Sequence, residues 1–301
     1  MKKKVFEQLL IITLIILMAF LLSCKKDQKK NKQDSQVEKE KIDKSTVILK
    51  YNESLFTIPS PYQATYTIKE NNIKFNEELL NPEENYKSYT TNFKQALNIG
   101  VYGTDLGYLT IYNQNTSTIS YFNIVKKISE ELGLHQALSS KQLKETEAKI
   151  EQQDSLLFFL TNTYRHFDSY LKENNRKEIG ALIIAGGWIE SLYILSQTIK
   201  DNPTRQLINR LGEQKQPLNN LIELLSFYYY ESQNYTQLID SLVDLAYAYD
   251  GIIYNYYYEE PEVYPEKQLT IIKSRSNVVL SEYHLRNIAK KIENIRNKII
   301  N

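Results

Sequence analysis

The sequence predicts an all-α protein, either a multi-helix bundle or stacked helical hairpins, with at most a small β-hairpin near residues 268–280. Apolar residues recur at helical spacing, short polar turns separate the periodic segments, and few segments alternate as strands do. The 301 residues include 37 basic and 36 acidic side chains, and 42% are apolar, which is typical of a globular protein. The near-zero net charge excludes bulk nucleic acid as a partner, because that binding needs a strongly basic face.

Capping residues, glycines and prolines set the expected helix boundaries in the first half of the chain. Ser60 precedes Pro61, which is the order of an N-cap and a first helical residue. The polar run at 115–118 breaks a long helical pattern and caps the next helix, which Gly133 ends. The helices predicted here cover about 61–71, 84–113, 119–133, 139–152 and 154–174.

The second half of the chain continues the helical pattern. Residues 176–200 form the most apolar segment after Cys24. Pro203 restarts a helix, and Pro217 either kinks that helix or begins another. The remaining helices are predicted at 217–231, 235–258 and 281–300, the first two as a helical hairpin. The last helix has apolar residues at spacings of 3, 4, 3 and 4, a stripe formed by Leu285, Ile288, Ile292, Ile295 and Ile299.

The N-terminus has the pattern of a signal peptide. Lys2, Lys3 and Lys4 precede an apolar run, Leu9–Leu22, that is shorter than the roughly 20 residues of a membrane-spanning helix. The run ends in Leu21-Leu22-Ser23-Cys24, which resembles the lipobox of bacterial lipoproteins. In that family, signal peptidase II cuts before the cysteine, and the cysteine sulfur carries a diacylglyceryl group. The resemblance implies a signal peptide at 1–23, fatty-acid modification of Cys24, for example with palmitate, and a membrane anchor.

The expected organisation after the signal peptide is simple. Residues 24–47 are predicted to be the lipidated cysteine and a disordered charged tether, since residues 25–34 contain no apolar side chain to offset the entropy of ordering. Residues 48–301 are predicted to form a single helical domain. The lipobox resemblance implies a location in the bacterial cell envelope, and the absence of Asp after Cys24 favours the outer membrane. The pattern does not distinguish the periplasmic from the outer face.

Two predicted helices combine small residues with an internal carboxylate, and the favoured interpretation of these carboxylates is that they are solvated or structurally paired. One carries Ala96, Gly100, Gly103 and Gly107 on one face, and the other carries Gly180, Ala181, Ala185, Gly186 and Gly187. Each helical glycine costs about 1 kcal/mol relative to alanine, which close packing of the two helices offsets; the alternative is that the missing side chains leave a pocket. The candidate pocket residues are Asp105, Trp188 and Glu190. In the alternative interpretation, the two carboxylates share one cleft and carry out acid–base chemistry.

Tyrosine is concentrated towards the C-terminal part of the chain. Eleven of the 24 tyrosines fall between residues 228 and 264. Three consecutive tyrosines cannot face one way on a helix, so some rings reach the surface, where they suit glycan stacking or a protein interface. The candidate surface-binding residues are Tyr228, Tyr229, Tyr256 and Tyr257. The alternative is compositional, because the chain is also rich in Asn, Lys and Ile.

No catalytic or cofactor-binding motif is present in the sequence. His135, His166 and His284 form no metal-ligand spacing, and neither a nucleophile elbow nor a phosphate-binding glycine loop occurs. Asp240 and Asp244 lie one helical turn apart, which indicates a solvated face more than a calcium site, since calcium sites usually use loops. We therefore expect no cofactor, no metal site and no assignable catalytic residue.

Three stretches, Phe56–Pro61, Ala96–Tyr108 and Ala185–Ser191, resemble uncharacterised all-helical lipoproteins of Bacteroidota. The resemblance implies a helical fold and an envelope location, and it transfers no activity. The leading hypothesis is a membrane-anchored, non-enzymatic helical module that binds a protein partner in the envelope. The alternatives are a surface lipoprotein that binds a glycan or another ligand through the Tyr-rich hairpin, and a hydrolase that acts through Asp105 and Glu190.

Overall fold

The structure is a computed structural model that describes residues 46–51, 54–59, 62–137 and 140–301, with the backbone alone up to residue 59 and at 140–142. All of them belong to one compact unit, Asp43–Asn301. The predicted all-α class is confirmed, because helices make up most of the described chain. The predicted signal peptide, Cys24, the tether up to residue 45 and the Ser60-Pro61 cap lie outside the described residues.

The described residues contain ten α-helices, most of them joined by short connections. They are α1 (Tyr62–Glu70), α2 (Asn92–Ile111), α3 (Asn115–Glu131), α4 (Ser140–Glu147), α5 (Gln153–Glu173), α6 (Lys177–Asp201), α7 (Arg205–Gly212), α8 (Lys215–Ser226), α9 (Gln233–Tyr249) and α10 (Glu282–Ile300). Single 3₁₀ turns lie at Glu77–Leu79, Glu83–Ser88, His135–Ala137 and Pro265–Lys267.

Helices α2 and α6 form the centre of the bundle. Every residue of α2 from Gln95 to Ile111 is buried. Helices α1, α3, α5 and α10 pack around this pair, while α9 packs on α8 and α10. Among the described helices, α6 alone is long and apolar enough to cross a membrane, but 83% of its most apolar window is buried by the rest of the protein. That burial is expected of the core helix of a bundle, which is apolar on all sides.

The helix predicted over 84–113 is shorter than expected. Residues Glu83–Ser88 form a 3₁₀ turn, and α2 begins at Asn92. The hydroxyl of Thr91 accepts a hydrogen bond from the N–H of Lys94 at 3.2 Å, and such an N-cap satisfies a donor that a helix start leaves unpaired. The residues before Asn92 are therefore not part of this helix, and some of them contribute to the buried site described below.

Pro217 lies in the first turn of α8, where a missing N–H leaves no helical hydrogen bond unmade. Helices α7 and α8 are therefore separate, as one of the two interpretations predicted.

Helix α10 follows its prediction closely. The hydroxyl of Ser281 caps it by accepting a hydrogen bond from the N–H of His284 at 3.3 Å, and most of its apolar stripe faces the core.

The chain before α1 is a β-hairpin, which the prediction of a helical domain over 48–301 did not include. Strand β1 (Thr46–Tyr51) pairs antiparallel with β2 (Ser54–Pro59), with Thr46 opposite Pro59. β-Branched and aromatic residues make up four of the six residues of β1 and three of the six of β2, and these residue types favour strands over helices. The hairpin lies beside α8.

The largest departure from prediction lies between α9 and α10. The helix predicted over 235–258 ends at Tyr249, and a two-stranded antiparallel arm follows. Its strands are β3 (Ile253–Tyr257), β4 (Glu262–Tyr264), β5 (Leu269–Ile271) and β6 (Arg275–Val279), with β3 paired to β6 and β4 paired to β5. The strands near 268–280 therefore pair with residues 253–264 and not with each other. Residues 253–279 are called the arm below.

Candidate functional site

Asp105 and Glu190 meet in the core, where α2, α6 and α10 pack together. Both side chains are 0% exposed. Arg296 of α10 completes the cluster, because its Nε and Nη2 atoms donate to the two carboxylate oxygens of Glu190, each at 3.0 Å. The guanidinium also lies 4.4 Å from the ring centroid of Tyr193 and donates to the carbonyl oxygen of Leu79 at 3.4 Å. This bidentate geometry is what a buried ion pair needs to offset the desolvation of both charges.

The two carboxyl groups share a single negative charge. Burial raises the pKa of Asp105, and the neighbouring carboxylate of Glu190 raises it further. Burial also raises the pKa of Glu190, but Arg296 opposes that rise, so Glu190 is the ionised member. The raised pKa makes Asp105 the member that holds the proton, and its Oδ1 atom has no hydrogen-bond partner among the described groups. The Oδ2 atom of Asp105 accepts from the backbone N–H of Asn81 at 3.0 Å.

Asn81 connects the carboxyl pair to the C-terminal end of α10. Its side-chain Nδ2 donates to the Tyr89 hydroxyl at 3.1 Å, and that hydroxyl donates to the carbonyl oxygen of Ile300 at 3.0 Å. The amide of Asn98 donates to the carbonyl oxygen of Ile299 at 3.0 Å. These are carbonyls that a helix end leaves without intrahelical partners. The cluster and the C-terminus of the chain are therefore held by one continuous network.

Helices α2 and α6 pack backbone to backbone at Gly100 and Gly186, whereas Gly103 faces Tyr164 of α5 and Gly107 faces Tyr62 of α1. A Cβ added to Gly100 would lie 2.0 Å from the carbonyl oxygen of Ile183, and one added to Gly186 would lie 1.9 Å from that of Leu97. The two backbones are in direct contact, which only glycine permits at these positions. The contact at Gly100 and Gly186 agrees with the packing interpretation of the small residues.

Trp188 lies outside the carboxyl cluster. Its indole N–H donates to Oε1 of Gln214 at 3.3 Å, at the junction of α7 and α8. Residues two apart on a helix point in different directions, so Trp188 and Glu190 serve different interfaces. The structure brings together two of the three candidate pocket residues and adds Arg296, which the sequence did not single out. The only indication in the sequence that Arg296 is buried is its position four residues after Ile292, beside the apolar stripe of α10.

The arrangement around Asp105 supports a structural role. Acid–base catalysis requires a carboxyl group within reach of a substrate. Here Arg296 binds both oxygens of Glu190, Asn81 binds one oxygen of Asp105, and both carboxyl groups are closed to solvent. The contacts agree with the paired-carboxylate interpretation made from the sequence.

The four candidate surface tyrosines separate into two pairs at opposite ends of α9. Tyr228 and Tyr229 lie in the turn after α8 and are half-buried, and the Tyr229 hydroxyl donates to Asp240 at 3.1 Å. Tyr256 and Tyr257 lie on β3 and are 65% and 52% exposed. A helix of 17 residues separates the two pairs by about 25 Å. They do not form one surface, and the second pair is the more accessible.

The arm carries a dense set of exposed apolar side chains. The exposed large apolar residues of this segment are Ile253, Tyr254, Tyr256, Tyr257, Tyr258, Val263, Leu269, Ile271, Ile272 and Val279. Several of its charges neutralise each other, since Arg275 pairs with Glu259 at 3.2 Å and Lys273 pairs with Glu262. Contiguous exposed apolar surface of this kind marks interaction sites.

No group of three His, Cys, Asp or Glu side chains converges as metal ligands within the described part of the chain. Asp240 and Asp244 are exposed on α9, and each has its own partner, Tyr229 and Lys291 respectively. The prediction that these two aspartates belong to a solvated face is therefore confirmed.

Comparison of the chain with protein-family models, with curated proteins and with solved structures finds no match. The fold and the two sites described above are therefore the basis on which a function can be inferred. Of the two sites, the arm is the one whose side chains can reach another molecule, because the carboxyl cluster is closed to solvent.

Proposed function

We propose that the protein is a lipid-anchored protein of the bacterial cell envelope that binds a protein partner through the arm. The exposed apolar surface of residues 253–279 carries this proposal. A two-stranded ribbon is only marginally stable on its own, and its unpaired edges are templates for pairing with another chain. A partner that buries the arm would therefore stabilise both the ribbon and the complex.

Attachment to the membrane is proposed from the lipobox-like sequence that ends at Cys24. Several acyl chains on one cysteine give stable anchoring, because each buried methylene contributes about 0.8 kcal/mol. Cys24→Ser is expected to abolish incorporation of labelled palmitate and to release the protein from the membrane fraction. Undiminished labelling of the variant would contradict this anchor. Separation of inner and outer membranes on a density gradient tests the proposed outer-membrane location.

A photo-crosslinking amino acid at position 256 tests the binding surface in living cells. We expect a discrete protein to be crosslinked from position 256. Tyr230 is the matched control, because it is a 94% exposed tyrosine outside the arm. Crosslinking of the same proteins from both positions, or of none from position 256, would remove the support for partner binding through the arm.

Glycan binding is the second candidate function, favoured by the exposed rings of Tyr256 and Tyr258, which are 65% and 69% accessible. Exposed aromatic rings provide the flat apolar faces on which sugar rings stack. The Tyr256→Ala and Tyr258→Ala variants are expected to lose binding on a glycan array if this function is correct. An array on which the wild-type protein binds nothing would eliminate it.

A further inference from the structure

The two edges of the arm differ at its base. Strand β6 lies against the body: Val278 is 0% exposed and packs on Gly212. All five residues of β3 are exposed. The arm therefore presents β3 as its outer strand, from which the Tyr254 hydroxyl reaches α7 and donates to the carbonyl oxygen of Gly212 at 2.7 Å.

Backbone directions on the two strands follow from the contacts of Val278. Its N–H donates to Oδ1 of Asn209 at 3.1 Å, and its carbonyl oxygen accepts from Arg205 at 3.2 Å. Both groups of Val278 thus point away from β3, so Val278 and the opposite residue, Tyr254, form a non-hydrogen-bonded pair. The N–H and C=O groups of Tyr254 then point away from β6, and by the period of two so do those of Tyr256.

The exposed edge of β3 is complementary to itself. In an antiparallel pair of two β3 strands that overlaps all five residues, Asn255 lies opposite its own copy and Tyr254 lies opposite Tyr256. The outward-facing groups of Tyr254 and Tyr256 then exchange hydrogen bonds, as that ladder requires. Ile253 lies opposite Tyr257, and aromatic pairs and aromatic–aliphatic pairs both stabilise sheets.

The same register aligns the polar side chains. Asn255 is the cross-strand partner of Asn277 within the arm. Two arms paired through β3 therefore place four asparagine amides in one row across four strands, an arrangement in which amides hydrogen-bond to each other. The row would be broken by a shift in register, so it selects the alignment described.

Charge and area also favour a second copy. Natural edge strands are commonly protected by charged residues, whereas Ile252–Tyr258 contains none. Ile253 and the four tyrosines at 254, 256, 257 and 258 are 40–69% exposed, which amounts to about 500 Å² per copy if an aromatic side chain carries roughly 200 Å². Two copies together offer roughly 1,000 Å², which is about the minimum area expected of a biological interface.

We infer that the arm joins two copies of this chain by antiparallel pairing of their β3 strands, with Asn255 on the two-fold axis. The result is a four-stranded sheet in the order β6, β3, β3 of the second copy, β6 of the second copy. This inference rests on the proposed function in that the arm is the binding surface, and it names a second copy as one occupant.

Cysteine crosslinking of the full-length chain in cells tests the pairing. The sequence has one cysteine, Cys24, so Asn255→Cys introduces the single cysteine in the arm. Directly opposite residues of a non-hydrogen-bonded pair have Cα atoms about 4.5 Å apart, within the range of disulfides. Mild oxidation is expected to give a band of twice the chain mass on a non-reducing gel.

Asn277→Cys is the matched control. Asn277 is an exposed asparagine on the same face of the arm, one strand farther from the axis. Its two copies would be three strand spacings apart, about 14 Å, beyond disulfide reach. It is expected to crosslink at least tenfold less. Adding Tyr256→Pro to Asn255→Cys removes an outward N–H and leaves the β3–β6 hydrogen bonds in place; this is expected to abolish the dimer band.

Equal crosslinking of Asn255→Cys and Asn277→Cys, or none from either in chains that remain protease-resistant, overturns the inference. The proposed function has a separate outcome. If the photo-crosslinker at position 256 captures only a different protein, the arm still binds a partner and the pairing of two copies is wrong. If the photo-crosslinker captures a second copy of the chain, the proposed function and the pairing of two copies are both supported.

Discussion

A single proton at Asp105 sets the electrostatic balance of the core. The cluster holds two acidic side chains and one cation, Arg296, in a volume closed to water. If both acids were ionised, the core would contain an uncompensated negative charge, which is strongly unfavourable in a low-dielectric interior. The proton on Asp105 removes that charge.

Asp105→Asn is expected to keep the fold and to reduce the pH dependence of stability. The asparagine side chain is neutral, as protonated Asp105 is, and its oxygen still accepts from Asn81. Because the pKa of Asp105 is raised by burial, the wild type has the full contribution of this proton only below about pH 4, and loses it as pH rises through the folded-state pKa. The Asn variant has no such loss, so its stability relative to wild type should increase between pH 5 and pH 8.

Urea unfolding at the two pH values measures this difference. Asp105→Ala serves as the comparison, because it leaves the Asn81 N–H without a partner and is expected to cost about 1–3 kcal/mol. A relative stability of the Asn variant that does not change between pH 5 and pH 8 would mean that Asp105 is already ionised in the folded protein, because its titration would then lie below this range.

Arg296→Gln is expected to destabilise the protein by about 3–5 kcal/mol, because it leaves buried Glu190 without its cation. Arg286→Gln is the matched control on the same helix. The Arg286–Glu282 pair is short, at 2.7 Å, but both side chains are largely exposed, and exposed pairs contribute no more than about 1 kcal/mol. Similar losses of stability in the two variants, measured by urea unfolding, would contradict a stabilising role for the buried pair.

The sequence identified the acids of this cluster and missed the base. Asp105 and Glu190 stand out because each is a carboxylate inside an otherwise small and apolar helix. Arg296 lies in a helix that also contains other basic residues, so its composition carries no comparable signal. The pair also spans 106 positions in the chain, and it depends on how α10 docks on α6, which no local pattern contains.

At the scale of whole elements, the contact of α2 with α6 depends on glycine. Gly186→Ala is expected to destabilise the protein by about 1–3 kcal/mol or more, as overpacking does, because its Cβ would lie 1.9 Å from the backbone of Leu97. Gly180→Ala on the same helix meets only the Leu171 side chain at 3.6 Å, so the gain in helix propensity should make it neutral or stabilising by up to about 1 kcal/mol. Thermal unfolding of the two variants makes the comparison. Equal effects would mean that the helices do not approach as closely as described.

Element boundaries were predictable where proline, glycine and capping residues mark them, as at Gly133 and Ser281. The arm was not predictable in the same way. In Ile252–Tyr258 every residue except Asn255 is apolar or aromatic, so neither a period of two nor one of 3.6 can be recognised. Residues 253–257 form a strand and not a helix because they pair with Arg275–Val279. That contact joins segments that are separate in sequence.

At the scale of the whole molecule, the arm contributes little to the stability of the helical body. Replacing Tyr258–Ser274 by Asn-Gly is expected to join β3 to β6 through a two-residue turn. The removed residues are exposed or half-buried, so the free energy of unfolding of the body should change by less than about 1 kcal/mol. Thermal unfolding followed by circular dichroism measures this. A loss of cooperative unfolding would show that the outer half of the arm supports the body.

The position of α10 in the sequence determines when the core can close during synthesis. Until α10 leaves the ribosome, Glu190 has no cation and the faces of α6 and α9 that it covers stay open. A chain that ends at Leu280 is therefore expected to be degraded rapidly by added protease, and a peptide of residues 281–301 is expected to restore resistance. Resistance without the peptide would contradict this order. Closure of the core thus waits for a helix that lies 106 positions after the carboxylate it neutralises.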